Sequence, residues 1–459
     1  MKKEIIQKNL LEGLKDLLED YNKVNKPKLK LDVAVYYLSL FISVPSFYRS
    51  DENQGEFVNL SSQKLKRINS NYTKYIDFFT ANGFVEVGKN YSADLNRSRE
   101  YKILNKYFKG EVESYEIKDK VLLNKFTNGL TEEQIIKKKY CEKQRPHLVC
   151  SFNEYLTMDS FEAYKEIQCL QNKESYRKYL TSSQMILEWH NKEWKYSIKP
   201  SSDNRIHSTL TRTPRVLRKH IRYNRELIIG WDISSSQPYF FTALLKAIYY
   251  KDKELLKRIM AHKILGDSVV EKLFDLNLSQ EEISDFGTSI LNGDFYESFQ
   301  EKIEIKYKTN GEPYRNVFVK SKGVWEDKVY DSERELVKKV IMEIFYSSSR
   351  ITIPEAAVFR RAYPSIHKIM TCIKDNGVKF SYLLQYIEAY CLLDYVAFKI
   401  YKKYPEMTLL SIHDSLVTTE SYKDILKEEM YILLKEITTI KPQLKLEEGR
   451  KEEKIIVQV

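Results

Sequence analysis

Apolar residues recur at intervals near 3.6 along several parts of the 459-residue chain, and this spacing predicts amphipathic helices. Residues 1–25 and 31–44 have this pattern. So do the segments SQPYFFTALLKAIYY, RELVKKVIMEIFY and LLQYIEA further along the chain. Between them, Ser61–Ser62 are expected to cap one short helix, and Asn82–Gly83 to end another. Residues 108–200 are rich in charge, and we expect them to be mostly helical.

Shorter apolar runs predict β-strands. The segment LIIGWDIS predicts a buried strand that ends at Asp232. The segment MTLLSIHDSLVTTE predicts a β-hairpin with His413 and Asp414 at its turn. Neighbouring strands of one antiparallel sheet would bring the two aspartates together. The expected fold class is therefore α+β and mainly helical.

Residues 61–104 predict two short helices followed by two strands, FVEVG and REYKIL, with a basic tip between the strands. A helix–turn–helix followed by a β-ribbon resembles a winged-helix domain, which we assign to residues 1–107. In such domains the second helix enters the major groove and the wing contacts the DNA backbone. The resemblance implies DNA contacts by Lys74, Arg97 and Arg99. Winged helices also bind proteins, and that alternative stays open.

The net charge narrows the choice of partner. Seventy-five Lys and Arg residues oppose 64 Asp and Glu residues, which gives a formal charge of +11. With 13% aromatic residues, the composition suits a nucleic acid, because cations displace counterions and rings stack on bases. Residues 201–225 are especially basic, and we expect the arginines at 215, 218, 222 and 225 to share a helix face that binds phosphate. A solvated helix face is the alternative.

Several classes of protein are disfavoured by the sequence. Five cysteines without a C-x-x-C pair argue against a disulfide framework and against a zinc ribbon. No stretch approaches the roughly 20 apolar residues of a membrane span. The N-terminus also lacks the apolar core and cleavage site of a signal peptide. We expect a soluble, cytoplasmic protein that has no membrane partner.

The string RELVKKVIMEIFY carries the most informative chemistry, because it combines Arg334, Lys338 and Tyr346 on one predicted helix. Arg334 and Lys338 are neighbours on that helix and could hold the β- and γ-phosphates of a triphosphate. Lys338 could also protonate the departing pyrophosphate, and Tyr346 could contact the nascent base pair. The alternative is an ordinary amphipathic helix with its apolar residues in the core.

The two aspartates complete a site for phosphoryl transfer. Carboxylate oxygens suit Mg²⁺, which also keeps water and phosphate oxygens as ligands. Two such ions about 4 Å apart would activate a 3′-hydroxyl and stabilise the leaving group. Asp232 and Asp414 are therefore the candidate metal ligands and catalytic residues.

These residues resemble the family A DNA polymerases and the single-subunit phage-type RNA polymerases over residues 200–459. Asp232 is similar to the motif A aspartate, and His413 and Asp414 are similar to motif C. Arg334, Lys338 and Tyr346 have the spacing of motif B. The resemblance also implies primer–template contacts, which we assign to Arg205, Arg212, His413 and Gln385.

The sequence departs from the DNA polymerase pattern at several positions. Gln237 stands where these enzymes usually carry the Glu that excludes ribose, although Gln237 could still hydrogen-bond Tyr346 and block a 2′-hydroxyl. Ser347 replaces the usual Gly after the motif B tyrosine. The string His-Asp-Ser at residues 413–415 and the Asp-x-Ser-x-Ser of motif A are closer to the RNA polymerases.

The resemblance implies a right-hand polymerase: an antiparallel palm sheet with helical fingers and thumb. We expect the palm and fingers in residues 201–459, after a helical connector or thumb-like region at 108–200 and the winged helix at 1–107. The expected function is template-directed DNA synthesis that adds dNTPs to a 3′-hydroxyl, with two Mg²⁺ ions or with Mn²⁺. No proofreading exonuclease is expected, and replication of a phage or mobile element is the expected setting.

Two alternatives stay open. One is an RNA polymerase, primase or template-independent nucleotidyltransferase of the same fold. The other is a non-catalytic, DNA-binding replication protein. The expected partners are a DNA primer–template and nucleoside triphosphates.

Overall fold

The computed structural model describes residues 2–43, 57–92, 98–127, 129–172, 176–200, 202–319, 324–347 and 353–446. The fold is α+β and mainly helical, as the sequence predicts. The described residues form two compact units. The first comprises Met1–Tyr140, Phe152–Tyr196 and Ser208–Leu227, and the second comprises Cys141–Ser151, Ser197–His207 and Ile228–Val459. The predicted division into three regions stays a prediction.

The α-helices of the described residues are α1 Lys8–Val24, α2 Leu31–Ser43, α3 Ser62–Ile68, α4 Tyr72–Ala81, α5 Lys120–Leu123, α6 Glu132–Gln144, α7 Pro146–Val149, α8 Ser160–Ile167, α9 Tyr176–His190, α10 Thr209–Arg212, α11 Arg215–Arg218, α12 Ser236–Tyr249, α13 Lys253–Arg258, α14 Ala261–Leu265, α15 Asp267–Phe274, α16 Gln280–Asn292, α17 Phe295–Gln300, α18 Glu333–Tyr346, α19 Pro354–Ala362, α20 Pro364–Asp375, α21 Phe380–Ala389, α22 Ala397–Lys403 and α23 Lys423–Thr438. A π-helix, Tyr390–Val396, joins α21 to α22.

The strands are β1 Lys2–Gln7, β2 Val58–Leu60, β3 Val85–Val87, β4 Arg99–Ile103, β5 Val112–Ile117, β6 Phe126–Thr127, β7 Leu130–Thr131, β8 Leu156–Met158, β9 Tyr196–Ile198, β10 Ile206–Ser208, β11 Ile221–Tyr223, β12 Glu226–Ile233, β13 Lys306–Tyr307, β14 Pro313–Val319, β15 Val324–Val329, β16 Leu410–Ile412, β17 Ser415–Thr419 and β18 Leu444–Leu446.

The start of the first unit differs from the prediction of one helix over residues 1–25. Residues Lys2–Gln7 form β1, which pairs antiparallel with β5 in the register Lys2↔Ile117 to Gln7↔Val112. Ile5 and Ile6 are buried in this strand, whereas the helix that follows buries Leu10, Leu11, Leu14 and Leu18. The helical periodicity was misleading because a strand partner far away in the sequence outweighs local spacing.

The two short helices and the ribbon of residues 61–104 lie where the sequence predicts them. Ser61 caps α3 by accepting a hydrogen bond from the Lys64 amide, and Gly83 adopts a left-handed φ of 64° just beyond α4. Strands β2, β4 and β3 form an antiparallel sheet in that order. Helix α2 is apolar nearly all round and is buried in the same unit.

The prediction that four arginines between 215 and 225 share one helix face is wrong. Helix α11 ends at Arg218, and Arg222 lies in strand β11. Asn224 and Arg225 both adopt left-handed conformations, with φ of 48° and 72°. Two consecutive left-handed residues form the tight turn of a β-hairpin, here between β11 and the first residues of β12.

The second unit contains the antiparallel sheet that carries both aspartates. Strand β12 lies between β17 and β18, and β16 flanks β17 on its other side. Helix α12 follows β12 after Ser235, whose left-handed φ of 53° redirects the chain from strand to helix. The hairpin predicted around residues 413 and 414 is confirmed.

A buried aromatic cluster holds the helices of the second unit together. The ring of Phe241 on α12 lies 5.8 Å from that of Phe286, 5.5 Å from that of Phe345 and 4.9 Å from that of Phe380, between ring centroids. These partners lie on α16, α18 and α21, so one side chain joins four helices. Such edge-on contacts add to the free energy gained from burying large apolar surfaces.

In the described part of the chain, no helix combines the length and the apolar character needed to cross a membrane.

Candidate active site

Asp232 and Asp414 lie at the same end of adjacent strands. Asp232 is opposite Ser415 in the register of β12 with β17, and Asp414 immediately precedes Ser415. His413 and Asp414 form the two-residue turn between β16 and β17, where His413 has a left-handed φ of 53°. The strand register therefore places the two aspartates at the same end of two directly paired strands, one residue apart in register.

The backbone of Asp232 is held on both sides. It is opposite Ser415 on β17 and opposite Lys445 on β18, so β12 is central in this part of the sheet. The neighbouring Trp231 donates a 2.7 Å hydrogen bond from its indole to the Lys423 carbonyl. Because a shift of one residue would turn every side chain to the opposite face, this pairing fixes which face Asp232 occupies.

The two carboxylates suit divalent cations. Asp232 and Asp414 are both partly exposed, and carboxylate oxygens are the ligands that Mg²⁺ prefers. Among the described residues, no group of three or more His, Cys, Asp and Glu side chains could hold a metal ion. If Mg²⁺ binds here, Asp232 and Asp414 are the candidate protein ligands, and water or phosphate oxygens would supply the others. This division is the usual one for Mg²⁺ at phosphate sites.

A buried carboxylate, Glu388 on α21, lies at the centre of the site. It is 1% exposed, and its Oε2 accepts hydrogen bonds of 2.6 Å from the Ser236 hydroxyl and of 2.6 Å from the Gln237 amide. Its Oε1 pairs with the Arg205 guanidinium. Burial raises the pKa of Glu388, Arg205 opposes this effect, and the charge of Asp414 adds to it. Arg205 and Asp414 are thus both within electrostatic reach of Glu388.

Two buried polar atoms of this group have no hydrogen-bond partner among the described residues. They are Nε of Arg205 and Oε1 of Gln237. Each belongs to a side chain whose other end is fixed on Glu388. Buried polar atoms are usually paired, so one free donor and one free acceptor here indicate a site that a polar ligand can complete.

Tyr346 lies beside the same group. Its phenol hydrogen-bonds with Gln385, and its pKa is raised by desolvation and by the charge of Glu388. The side chain remains 42% exposed, so it is accessible to a ligand. The structure therefore brings the predicted residues Asp414, Arg205, Gln385 and Tyr346 together around Glu388.

Arg334 and Lys338 lie on α18, the helix that ends at Tyr346. Ser332 caps this helix by accepting a hydrogen bond from the Glu335 amide. The Arg334 guanidinium lies 5.1 Å from the centroid of the Tyr296 ring, and its Nε donates to Glu297 at 2.7 Å. Lys338 is exposed. Both cations are accessible, although Arg334 already has an anionic neighbour.

Three of the residues predicted to contact nucleic acid belong to the first unit. Arg212 donates to Glu188 at 2.9 Å. Lys74 on α4 donates to the Lys26 carbonyl at 3.3 Å, and Arg99 on β4 is exposed. Arg97 lies outside the described residues. The DNA-binding roles of these side chains stay predictions.

Glu388 is the residue that sequence reasoning missed. It lies in the segment LLQYIEA, in which only Gln385 was singled out. One signal was present: Glu388 follows Leu384 and Ile387, which are apolar residues at helical spacing on the buried face. A carboxylate on the apolar face of a helix is expensive unless it is paired, and it therefore indicates a partner.

No protein-family model matches the chain, and no curated protein is significantly similar to it. The chain is similar to a solved structure of the POL domain of Pol1 from M. smegmatis in complex with DNA primer-template and dNTP, with a TM-score of 0.21 and 11% sequence identity. The match covers 59% of this chain and 52% of that chain, so this chain spans about half the length of the structure it matches. A TM-score this low does not establish a common fold.

Proposed function

We propose that the chain is a template-directed DNA polymerase that adds dNTPs to a primer 3′-hydroxyl. The observation that supports this proposal is the register of β12 with β17, in which Asp232 is opposite Ser415, the residue that follows Asp414. A second observation supports it: the side chains around Glu388 include a guanidinium, an amide and a phenol. This composition suits positioning and charge stabilisation, which dominate phosphoryl transfer.

Asp232 and Asp414 would hold two Mg²⁺ ions. When bound, such ions neutralise phosphate charge and lower the pKa of the attacking hydroxyl. Arg334 and Lys338 would bind the β- and γ-phosphates of the incoming nucleotide, for which an exposed lysine one helical turn from an arginine is suitable. Lys338 is also the candidate general acid for the departing pyrophosphate.

The sugar of the incoming nucleotide would meet Gln237 and Tyr346. Family A DNA polymerases, which the site residues resemble, usually carry a carboxylate at the position of Gln237. Here Glu388 supplies a carboxylate 2.6 Å from the Gln237 amide. We propose that the Gln237–Glu388 pair, with Tyr346 beside it, selects deoxyribose. A ribonucleotide polymerase is the second candidate, favoured by the neutral amide at Gln237.

The first unit would bind DNA. Helices α3 and α4 with the ribbon β3–β4 have the order of elements of a winged helix, and Arg99 is exposed on that ribbon. Joined to a polymerase that has no proofreading exonuclease, such a module would localise synthesis. Replication of a phage or mobile element is the setting that we propose.

Primer extension tests the proposal. Wild type, Asp414→Asn and the matched control Asp424→Asn would be compared on a defined primer–template with Mg²⁺, with dNTPs and NTPs in separate reactions. Asp424 is an exposed carboxylate in the first turn of α23, outside the site. We expect templated dNTP extension that Asp414→Asn reduces at least a thousandfold, about 4 kcal/mol in activation free energy, and that Asp424→Asn leaves unchanged.

Other results of the extension assay would each support a different function. Equal or greater use of NTPs would establish the ribonucleotide candidate, and extension without a template would establish a template-independent transferase. The absence of incorporation with either nucleotide, over Mg²⁺ and Mn²⁺ and several templates, would contradict a polymerase. DNA binding retained in that case would leave a non-catalytic replication protein.

A further inference from the structure

A buried arginine, Arg145, joins the loop that carries Arg205 to the helix that carries Glu388. Arg145 lies in the Cys141–Ser151 segment of the second unit, and its side chain is 2% exposed. Nε and Nη2 donate to the two carboxylate oxygens of Asp394 at 2.5 and 2.7 Å. Nη1 donates to the Asn204 carbonyl at 2.6 Å. Asn204 directly precedes Arg205.

Asp394 belongs to the same helical segment as Glu388. Helix α21, which carries Glu388, continues into the π-helix Tyr390–Val396, which carries Asp394. The loop is therefore attached to one helical segment at two places: through the Arg205 side chain to Glu388, and through Arg145 to Asp394. Two charged pairs of this kind determine both the position and the orientation of a short loop.

The loop needs such support because its backbone is not regular. Asn204 adopts a left-handed φ of 54°, which is uncommon for a residue other than glycine. Its carbonyl therefore points in a direction that a helix or a strand would not give it, and this carbonyl is the group that Arg145 binds. Without that bond the loop could relax, and the Arg205 guanidinium would move with it.

The π-helix has a second partner on the Arg145 segment. Nε2 of His147, on α7, lies 2.8 Å from the Leu393 carbonyl, and burial lowers the pKa of this histidine. A neutral imidazole can donate from Nε2, so the segment binds the π-helix by a backbone carbonyl as well as by a carboxylate. Single-turn π-helical irregularities occur frequently at functional sites.

We propose that Arg145 is a positioning residue that fixes Arg205 for contact with the primer–template. This inference rests on the proposed polymerase function, in which Arg205 binds the nucleic acid. The planar guanidinium is essential to the role, because it donates to a carboxylate and to a backbone carbonyl from one rigid fork. A lysine would keep the charge next to Asp394 but would lose this fixed geometry.

A double-mutant cycle tests the proposal. KM for the primer–template and kcat would be measured in steady-state dNTP extension for wild type, Arg145→Lys, Arg205→Ala and the double variant. We expect Arg145→Lys to raise this KM about tenfold while kcat changes less than threefold. In the Arg205→Ala background, Arg145→Lys should have no further effect, because a positioning residue acts only through the group that it positions. Multiplicative effects in the double variant would overturn the proposal.

The matched control is Arg315→Lys, alone and with Arg205→Ala. Arg315 is a second buried arginine of the same unit, and its fork donates to Glu355 at 2.7 and 3.1 Å. It shares no hydrogen-bond partner with Arg145 among the described residues. Arg315→Lys should cost similar folding stability, but its effect on extension should be the same in both backgrounds. If Arg315→Lys is coupled to Arg205→Ala as strongly as Arg145→Lys is, then the cycle reports loss of folding rather than positioning.

Amide hydrogen exchange supplies a readout that does not need activity. The Asn204 amide donates to the Lys199 carbonyl at 3.1 Å, and the Arg205 amide donates to Asp203 at 3.2 Å. Arg145→Lys should speed exchange at residues 202–205 at least tenfold, and Arg315→Lys should not. Unchanged exchange in Arg145→Lys would overturn the positioning role, even if the wild type proved inactive. If exchange becomes faster but the wild type has no polymerase activity, only the proposed polymerase function is contradicted. If Arg145→Lys fails to fold, Asp394→Asn replaces it in both experiments, and we expect the same changes in KM and in amide exchange.

Discussion

Replacing Gln237 by Glu should destabilise the second unit in a strongly pH-dependent way. The Gln237 amide lies 2.6 Å from Oε2 of Glu388, so the substitution places two carboxyl groups in contact at a buried position. At that distance, two full charges would repel by about 6 kcal/mol at an effective dielectric constant near 20. The cheaper outcome is that the pair keeps one proton and forms a carboxyl–carboxylate hydrogen bond.

The free-energy cost of keeping that proton bound sets the size of the destabilisation. For a carboxyl with an ordinary pKa near 4.3, this cost is about 4 kcal/mol at pH 7.5 and about 1 kcal/mol at pH 5. The pKa of the pair is raised in the folded state, so the folded protein holds the proton at a pH where the unfolded chain has already released it. The free energy of unfolding of the variant should therefore approach that of the wild type below about pH 4 and fall as the pH rises.

Urea unfolding of the wild type and the variant at pH 5 and pH 7.5 measures this difference. The double variant Gln237→Glu with Glu388→Gln restores one amide and one carboxylate, and it should lose the pH dependence. Gln280→Glu, at an exposed position on α16, is the control and should change stability by less than about 0.5 kcal/mol at either pH. A Gln237→Glu protein as stable as wild type at pH 7.5, or a double variant that keeps the pH dependence, would refute the contact between residues 237 and 388.

Three further predictions concern stability. Burial alone would raise the pKa of Glu188, but Lys195 and Arg212 outweigh this effect and lower the pKa to about 2. Acidification from pH 4.5 to pH 2 should therefore lower the free energy of unfolding of the first unit by on the order of 3 kcal/mol. An acid titration in which Glu188→Gln loses as much stability as wild type would contradict this. Phe241→Ala should cost about 3–5 kcal/mol in urea unfolding, since it removes a fully buried ring from a cluster of four, and a loss below about 1 kcal/mol would show that the cluster is not packed as described. Ser332→Ala should cost about 1 kcal/mol by thermal unfolding because it removes the cap of α18, whereas no change would mean that the cap is not formed.

The elements that carry the two aspartates could be predicted from sequence because their signals are local. A run of apolar residues precedes Asp232, and two strand-like segments flank His413 and Asp414. The cap and apolar face of α18 are local in the same sense. A strand, a tight turn and a capped helix each depend on residues only a few positions apart, so a single sequence is sufficient to identify them.

The features that the sequence does not predict depend on residues far apart in the chain or on a weak local signal. Strand β1 forms because β5 pairs with it across the sequence, and no pattern within residues 2–7 contains that information. The turn at Asn224 and Arg225 was overlooked because the regular spacing of the arginines was more conspicuous than one Asn at a turn position. Glu388 acquires its role from Arg205, a residue 183 positions away in the sequence. Non-local pairing of this kind is decided by the fold, not by the segment.

The pairs Arg145–Asp394 and Arg205–Glu388 are better explained by geometry than by stability. Burying Glu388 and Arg145 removes solvation that their ion pairs only partly restore, and apolar replacements of similar volume are often as stable. Apolar groups, however, cannot fix the direction of a neighbouring guanidinium. Arg145 and Glu388 together hold the loop at Asn204 and Arg205 on one helical segment. In the proposed polymerase, the loop would hold Arg205 within electrostatic reach of Asp414 before the nucleic acid binds, and such preorganisation would reduce the cost of binding.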